Sequence, residues 1–332
     1  MHRTKVTLGI IIFISVIFRF FILWANEKSP YYPNLAVSFA TTAYCTEKGF
    51  IFKYDPIMRQ NLGVAQNEQF RLIDLEEYRK LTATSDLRCV TDETYSLPGY
   101  TLLLTLFFSV FQKATYYPAQ IFSALLDGVG SVILIYLLVK EKCVKSALIS
   151  AGIYATMPGF VRLASVPLPD SMVSFMVLAI TALTYYWLTN QKLLILLVLS
   201  AITGISSYFR PDIFFLPLLL GLVVFIDQKS IRKVILYVFT QYLVWLIFLT
   251  PLGIYNLVKT GNYEIFRPAI GINLWEGIGE YKNPCGMEAN DEKARDKMLE
   301  SGAQWGTKEG DRVLLHDTLS CIQENPIFLF QP

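Results

Sequence analysis

Residues 6–24 read VTLGIIIFISVIFRFFILW, and this apolar run predicts a transmembrane helix. A helix needs roughly 20 predominantly apolar residues to cross the hydrocarbon core of a bilayer. The run follows a short basic segment, Met1–Lys5, but it is longer than the core of a signal peptide. It also lacks a convincing small-residue cleavage site before Asn26. We therefore interpret it as an uncleaved signal anchor, spanning about Thr7 to Ala25.

Six further segments qualify, or nearly qualify, as membrane spans. They are about Ala119–Val139, Ser146–Leu163, Met172–Leu188, Leu193–Phe209, Ile213–Ile226 and Val234–Tyr255. The composition agrees, because 53% of the 332 residues are hydrophobic and only 17% are charged, which is too apolar for a soluble protein of this size. The sequence predicts an all-α integral membrane protein with about seven transmembrane helices.

The charges of the short loops predict the orientation of these spans. Lysine or arginine occurs at the N-terminus and in three short segments, 140–145, 189–192 and 227–233. Because short cytoplasmic loops carry an excess of positive charge, we expect a cytoplasmic N-terminus in a multi-pass protein of the cell membrane. The formal net charge of +2 offers no basic surface for a nucleic acid.

This topology gives the protein long external segments. The apolar stretch Thr101–Phe111 is too short to cross, and Pro98-Gly99 precede it, so we expect an interfacial or re-entrant helix there. It lies within a large first external loop, residues 26–118. We divide the chain into a transmembrane domain, residues 1–255, and an external C-terminal segment, residues 256–332.

Four of the five cysteines fall in the predicted external segments: Cys45, Cys89, Cys285 and Cys321. An even number of external cysteines permits two disulfides. Proximity within each loop favours Cys45 with Cys89 and Cys285 with Cys321. Four free thiols in a reducing compartment remain the alternative.

Several short stretches share the predicted external end of the spans. They are Tyr31–Ala36, Leu97–Tyr100, Ser123–Leu126, Pro167–Met172, Phe209–Pro211 and Gly271–Trp275. In this order they resemble the polyprenyl-phosphate-sugar-dependent membrane glycosyltransferases, a superfamily that includes protein O-mannosyltransferases and lipid A aminoarabinose transferases. Each stretch alone is weak evidence, so the resemblance rests on the order of the stretches and on their shared external placement.

The resemblance implies an inverting transferase that moves a sugar from a polyprenyl-phosphate donor to a lipid, glycan or protein acceptor on the external face. Such a reaction needs a base for the acceptor proton and a cation for the departing phosphate. Glu27 is then the expected base, and Arg210 the expected ligand of the donor phosphate. Asp170 would orient the acceptor or a divalent metal, although no cofactor is assigned.

Each of these residues also has a plainer interpretation. Glu27 could be a solvated charge paired with Lys28, and Asp170 follows Pro169 where it could cap the next helix. Arg210 precedes Pro211, which predicts a break between two spans, and its side chain could simply extend to the membrane interface.

Further polar residues are weaker candidates. Arg162 is a second candidate for donor phosphate, and Asp92-Glu93 could form a secondary acidic site or remain exposed loop charges. Asp127 lies inside the second span, where an unpaired carboxylate would cost roughly 2.5 to 3.5 kcal/mol. We expect it to face the helix bundle, with either a functional or a structural role.

External aromatic residues could form a rim that binds sugar or a belt at the membrane interface. They include Tyr31, Tyr32, Tyr95, Tyr100, Tyr116 and Tyr117, together with the stretch that ends at Trp275.

The sequence also departs from the pattern of the superfamily. Glu27 stands where aspartate is usual, and Gln120 replaces an arginine often found at the start of the second span. The chain stops at Pro332 in an external segment, so either further spans follow or the protein is a reduced relative. Two rival functions therefore remain: a transporter or flippase centred on Asp127, and a non-catalytic assembly partner.

Overall fold

The apolar runs form helices in a computed structural model of the protein. The structure describes residues 2–28, 98–111, 116–140, 143–166, 168–261, 270–303 and 307–326, together with positions 39, 42–43, 45–46, 53–54, 91–92, 263 and 265. The chain divides into two compact units, Met1–Tyr263 and Glu264–Pro332.

Unit 1 is built from helices. They are α1 (His2–Lys28), α2 (Pro98–Phe111), α3 (Tyr117–Leu125), α4 (Val132–Lys140), α5 (Val144–Thr156), α6 (Pro158–Leu163), α7 (Asp170–Asn190), α8 (Leu193–Ser207), α9 (Leu216–Gln228) and α10 (Ile231–Thr260). A π-helical turn, Leu126–Ser131, joins α3 to α4, and a 3₁₀ turn, Pro211–Phe215, leads into α9. Two short strands, β1 (Lys53–Tyr54) and β2 (Thr91–Asp92), pair antiparallel with Lys53 opposite Asp92.

Five helical segments in the described part of unit 1 are long and apolar enough to cross a membrane. They are Thr4–Ala25, Tyr117–Lys140, Asp170–Asn190, Pro211–Gln228 and Ile231–Val258. Large apolar side chains face outward along them; Phe13 is 65% exposed, Ile226 73% and Val258 77%. Since water would not stabilise so much exposed apolar surface, a bilayer must cover it. The predicted class, an all-α integral membrane protein, is confirmed.

Two of the seven predicted spans are shorter helices. The third breaks at Met157, which has extended backbone angles, and Pro158 then begins α6. Proline lacks the N–H needed to continue the hydrogen-bond ladder and disfavours helical angles in the residue before it. The fifth, α8, contains 15 residues. The stretch predicted to form an interfacial or re-entrant helix is helical, and this helix, α2, begins at Pro98.

Unit 2 contains three described helices, α11 (Ile270–Gly279), α12 (Asp291–Glu300) and α13 (Lys308–Glu324). Trp275, Ile278, Met298 and Leu314 belong to its buried apolar cluster. Cys285 and Cys321, one of the two favoured pairings, form a disulfide. In unit 1, Cys45 is also disulfide-bonded, and its expected partner Cys89 lies outside the described residues.

A glycine allows α11 to lie against α13. The Asp311 carboxylate accepts hydrogen bonds from the backbone N–H groups of Gly271, at 2.8 Å, and Ile272, at 3.2 Å. It thereby satisfies two of the unpaired N–H groups at the start of α11. A Cβ atom on Gly271 would lie 2.0 Å from the Asp311 backbone oxygen. Only glycine therefore fits this position without moving one of the two helices.

We expect Gly271→Ala to destabilise unit 2 by about 1 to 3 kcal/mol, the usual cost of overpacking. Gly277→Ala in the same helix is the control, because a Cβ there meets nothing within 4 Å. That control should stabilise the helix by about 0.5 to 1 kcal/mol. Pulse proteolysis of the full chain, with cleavage sites in unit 2 identified by mass spectrometry, measures both effects. Equal resistance of unit 2 to proteolytic cleavage in the two variants would contradict the packing argument.

Candidate functional site

Two of the candidate residues, 40 positions apart in the sequence, form an ion pair. The Nη2 group of Arg210 donates a hydrogen bond to Oδ1 of Asp170. The Arg210 side chain keeps 42% of its surface exposed and that of Asp170 keeps 20%. A ligand can therefore reach both groups.

The backbone around Arg210 explains why its side chain is available. Arg210 has extended angles between the end of α8 and the 3₁₀ turn that Pro211 begins, so the predicted break is confirmed. Partial burial lowers the pKa of Arg210, but the hydrogen bond and charge of Asp170, with a contribution from Asp212, outweigh it and raise that pKa above its ordinary value. The guanidinium is thus a permanent cation.

Asp170 does not cap its helix as the sequence suggested. The residue before α7 is Pro169, and no side chain caps the helix there. Asp170 is the first residue of α7, and its carboxylate bonds Arg210 instead. A tertiary partner has therefore replaced the expected local one, although the carboxylate still lies at the positive end of the helix dipole.

The stretch at the start of α2 packs against the stretch that contains Arg210. The N–H of Gly99 donates to the Tyr208 carbonyl at 2.9 Å. A Cβ on Gly99 would lie 2.8 Å from the Phe209 ring and 2.9 Å from the Tyr208 backbone. Phe209 and Met172 share one buried cluster. Three of the short stretches quoted from the sequence thus meet at one end of unit 1. They are Leu97–Tyr100, Pro167–Met172 and Phe209–Pro211, and we call this end the Arg210 end.

The same cluster corrects the expectation for two aromatic residues. Tyr100 and Tyr116 are each 1% exposed and pack beside Phe209, so they form neither a sugar-binding rim nor an interfacial belt. Trp275 is 6% exposed and belongs to the core of unit 2. The sequence could not separate these roles, because aromatic side chains serve all three environments. Tyr31, Tyr32 and Tyr95 lie outside the described residues.

Gln120 connects two segments at the Arg210 end. Its Nε2 group donates to the Ser165 carbonyl at 2.6 Å, and its side chain is buried.

Arg162, at the end of α6, is exposed, and its side chain has no hydrogen-bond or ion-pair partner within the described ranges. The buried hydroxyls of Ser123 and Ser171 likewise find no protein partner in the described part of the chain.

Asp127 is paired with Arg19, which was not among the candidate residues. Arg19 of α1 donates to Asp127 Oδ2 from Nε at 2.9 Å and from Nη2 at 2.7 Å, and the two side chains are 0% and 1% exposed. Oδ1 accepts from the Tyr154 hydroxyl at 2.5 Å and the Ser131 hydroxyl at 3.1 Å. Arg19 Nη1 donates to the Ser15 hydroxyl at 2.6 Å. The buried charges are therefore mutually compensated.

Local structure makes room for this ion pair. Asp127 and Gly128 lie in the π-helical turn, and a Cβ on Gly128 would be 2.9 Å from the Arg19 side chain. Arg19 also donates to the Ala155 carbonyl at 3.3 Å, which ties α1 to α5. A lone arginine inside the first apolar run was the signal for this contact, by the same reasoning that singled out Asp127.

The ion pair also indicates where position 27 lies along the axis of the helix bundle. Leu8 and Ile12 pack against the cluster containing Val132, whereas Arg19 meets Asp127, so α1 runs antiparallel to α3 and α4. Helix α1 continues through Lys28, which puts position 27 roughly 12 Å beyond Arg19, toward the Arg210 end. The Glu27 side chain itself lies outside the described part.

Other candidate residues fall partly or wholly outside the described ranges. The backbone of Asp92 pairs in β2, but its side chain and the whole of Glu93 are not described. Among the described residues, no group of three or more His, Cys, Asp or Glu side chains could hold a metal ion.

Comparison with known families bears directly on this arrangement. Residues 96–255 match the model of the dolichyl-phosphate-mannose-protein mannosyltransferase family. This match supports the predicted superfamily. The match to these membrane glycosyltransferases includes Asp127, Asp170 and Arg210, whereas Glu27 precedes it and unit 2 follows it. No curated protein and no solved structure matches the chain.

Proposed function

We propose that the protein is an inverting glycosyltransferase that moves a sugar from a polyprenyl-phosphate donor to a lipid, glycan or protein acceptor on the non-cytoplasmic face. The observation that carries this proposal is the accessible Arg210–Asp170 pair at the end of unit 1 where the family's sequence stretches meet. The predicted orientation, with a cytoplasmic N-terminus and an external Arg210 end, is part of the proposal.

Arg210 binds the donor phosphate in this proposal. A guanidinium has five N–H donors, and within the described contacts Asp170 occupies one of them. The remaining donors suit bidentate contact with phosphate oxygens. The helical segment that begins at Pro211 adds the positive end of its dipole. As the bond from sugar to phosphate oxygen breaks, negative charge grows on the phosphate, and Arg210 stabilises it.

Asp170 has two tasks in this proposal. Its Oδ1 atom holds the guanidinium in place, while Oδ2 makes no hydrogen bond to the described residues. The second oxygen can accept a hydrogen bond from an acceptor hydroxyl or contribute to a divalent metal site. Arg162, exposed at the end of α6, is a secondary candidate for the donor phosphate.

Glu27 takes the acceptor proton in this proposal. The acceptor oxygen attacks the anomeric carbon on the face opposite the phosphate, which inverts the configuration of that carbon. One bond from carbon to oxygen forms as the bond to phosphate oxygen breaks, and the acceptor proton passes to the carboxylate. Desolvation of a carboxylate would favour proton uptake.

The first test is sugar transfer in vesicles from a panel of labelled polyprenyl-phosphate sugars. We expect Arg210→Ala to lower transfer by about 10²- to 10³-fold, the usual effect of removing one group that stabilises transition-state charge. Arg210→Lys should recover part of the rate, because lysine restores the charge without the bidentate geometry. Arg232→Ala at the start of α10 is the matched control, since Arg232 is exposed and lies outside the Arg210 end. Wild-type rates in Arg210→Ala would refute the assignment.

A further inference from the structure

A cavity of about 520 Å³ lies between α4 and α7. Leu137, Ala179 and Ala182 are among the residues that form its apolar wall. The cavity borders the outward faces of two membrane-spanning helices, and Leu137 is 41% exposed. An apolar chain from the surrounding bilayer can therefore enter it.

One end of the cavity is polar. Lys140 is the last residue of α4, and Tyr185 and Tyr186 lie beside it on α7. Tyrosine is enriched where membrane-spanning helices meet the aqueous interface, and lysine extends its charge toward that interface. This end of the cavity therefore lies at the level of lipid headgroups.

The cavity is far from the proposed donor site. Asp170 begins α7 and Tyr185 follows 15 residues later, a separation of roughly 23 Å along the helix axis. A headgroup at this end of the cavity is therefore distinct from a donor phosphate bound at Arg210.

We propose that this cavity binds an anionic phospholipid, with one acyl chain against the apolar wall and the headgroup phosphate beside Lys140. The next five residues contain one acid, Glu141, and two further lysines, Lys142 and Lys145, so residues 140–145 carry a net positive charge. Basic pockets between transmembrane helices on the cytoplasmic side are a recurrent type of site for anionic headgroups. The apolar wall accepts any acyl chain, whereas Lys140 selects the charge of the headgroup. The proposal does not depend on the transfer activity.

Native mass spectrometry of the full-length protein, titrated with phosphatidylglycerol or phosphatidylethanolamine, tests this site. We expect the wild type to bind phosphatidylglycerol more tightly than phosphatidylethanolamine. Lys140→Gln should weaken phosphatidylglycerol binding about fivefold, whereas Lys140→Arg should retain it. Ala182→Phe, which fills the cavity, should weaken the binding of both lipids. Lys192→Gln is the control, because Lys192 is exposed and does not line the cavity.

Thermal unfolding in detergent establishes that each variant is folded before its lipid affinity is compared. Equal affinity of the wild type and Lys140→Gln for phosphatidylglycerol would overturn the proposal. Displacement of phosphatidylglycerol by undecaprenyl phosphate would also overturn it, because the cavity would then hold the tail of a donor-like lipid.

Discussion

Glu27→Gln is expected to lower sugar transfer by about 10²- to 10⁴-fold, the range that a positioned general base contributes. Glutamine has nearly the same size as glutamate but cannot accept the acceptor proton. Because Glu27 does not bind the donor in the proposed mechanism, KM for the polyprenyl-phosphate sugar should change little while kcat falls. Steady-state kinetics in vesicles separate the two parameters.

Glu300→Gln is the matched control for this prediction, because Glu300 is an exposed acid at the end of α12 in unit 2. Arg210→Ala should show the opposite pattern, with a rise in KM for the donor as well as a lower kcat. A Glu27→Gln variant that is folded and fully active would exclude Glu27 as the base, while leaving the phosphate assignment of Arg210 intact.

The second large effect is expected for Asp127→Asn, which should destabilise the folded protein by about 3 to 5 kcal/mol. The variant leaves the Arg19 guanidinium fully buried without a compensating negative charge. Thermal unfolding in detergent, or steric trapping in bicelles, measures this loss. Asp227→Asn is the control, since Asp227 is exposed at the end of α9.

A double variant separates the cost of an unpaired charge from the value of the pair. Removing both charges with Arg19→Met and Asp127→Leu should recover most of the loss, because buried ion pairs often contribute little net stability over apolar residues of similar size. If Asp127→Asn is instead as stable as the wild type but abolishes substrate flux across the membrane, while Glu27 and Arg210 tolerate substitution, the carboxylate has a functional role in transport. That outcome would support the rival interpretation of a transporter centred on Asp127.

Local signals in the sequence were sufficient for most of the helices. Long apolar runs identify membrane spans because apolar side chains favour the hydrocarbon core of the bilayer. Such runs form helices because a helix satisfies its backbone polar groups internally. Pro211 and Pro98 mark the break after Arg210 and the start of α2. The break at Pro158 was equally visible, but hydrophobicity alone joined α5 and α6 into one predicted span.

Contacts between distant segments could not be predicted in the same way. Capping was the best local interpretation of Asp170, yet its carboxylate bonds Arg210, 40 residues away. Arg19 and Asp127 are separated by 108 residues, and only one of them attracted notice in the sequence. Gly271 was noticed as part of a family stretch, whereas the structure shows that a close approach to Asp311 requires it.

The long separation of Arg19 from Asp127 has a consequence for biosynthesis. At translation rates of about 5 to 20 residues per second, Asp127 follows Arg19 out of the ribosome by roughly 5 to 20 seconds. Throughout that interval the first helix carries an unpaired arginine, whose insertion costs about 2.5 to 3.5 kcal/mol. The nascent first helix should therefore stay beside the translocon until the second helix arrives, and the two should enter the lipid together.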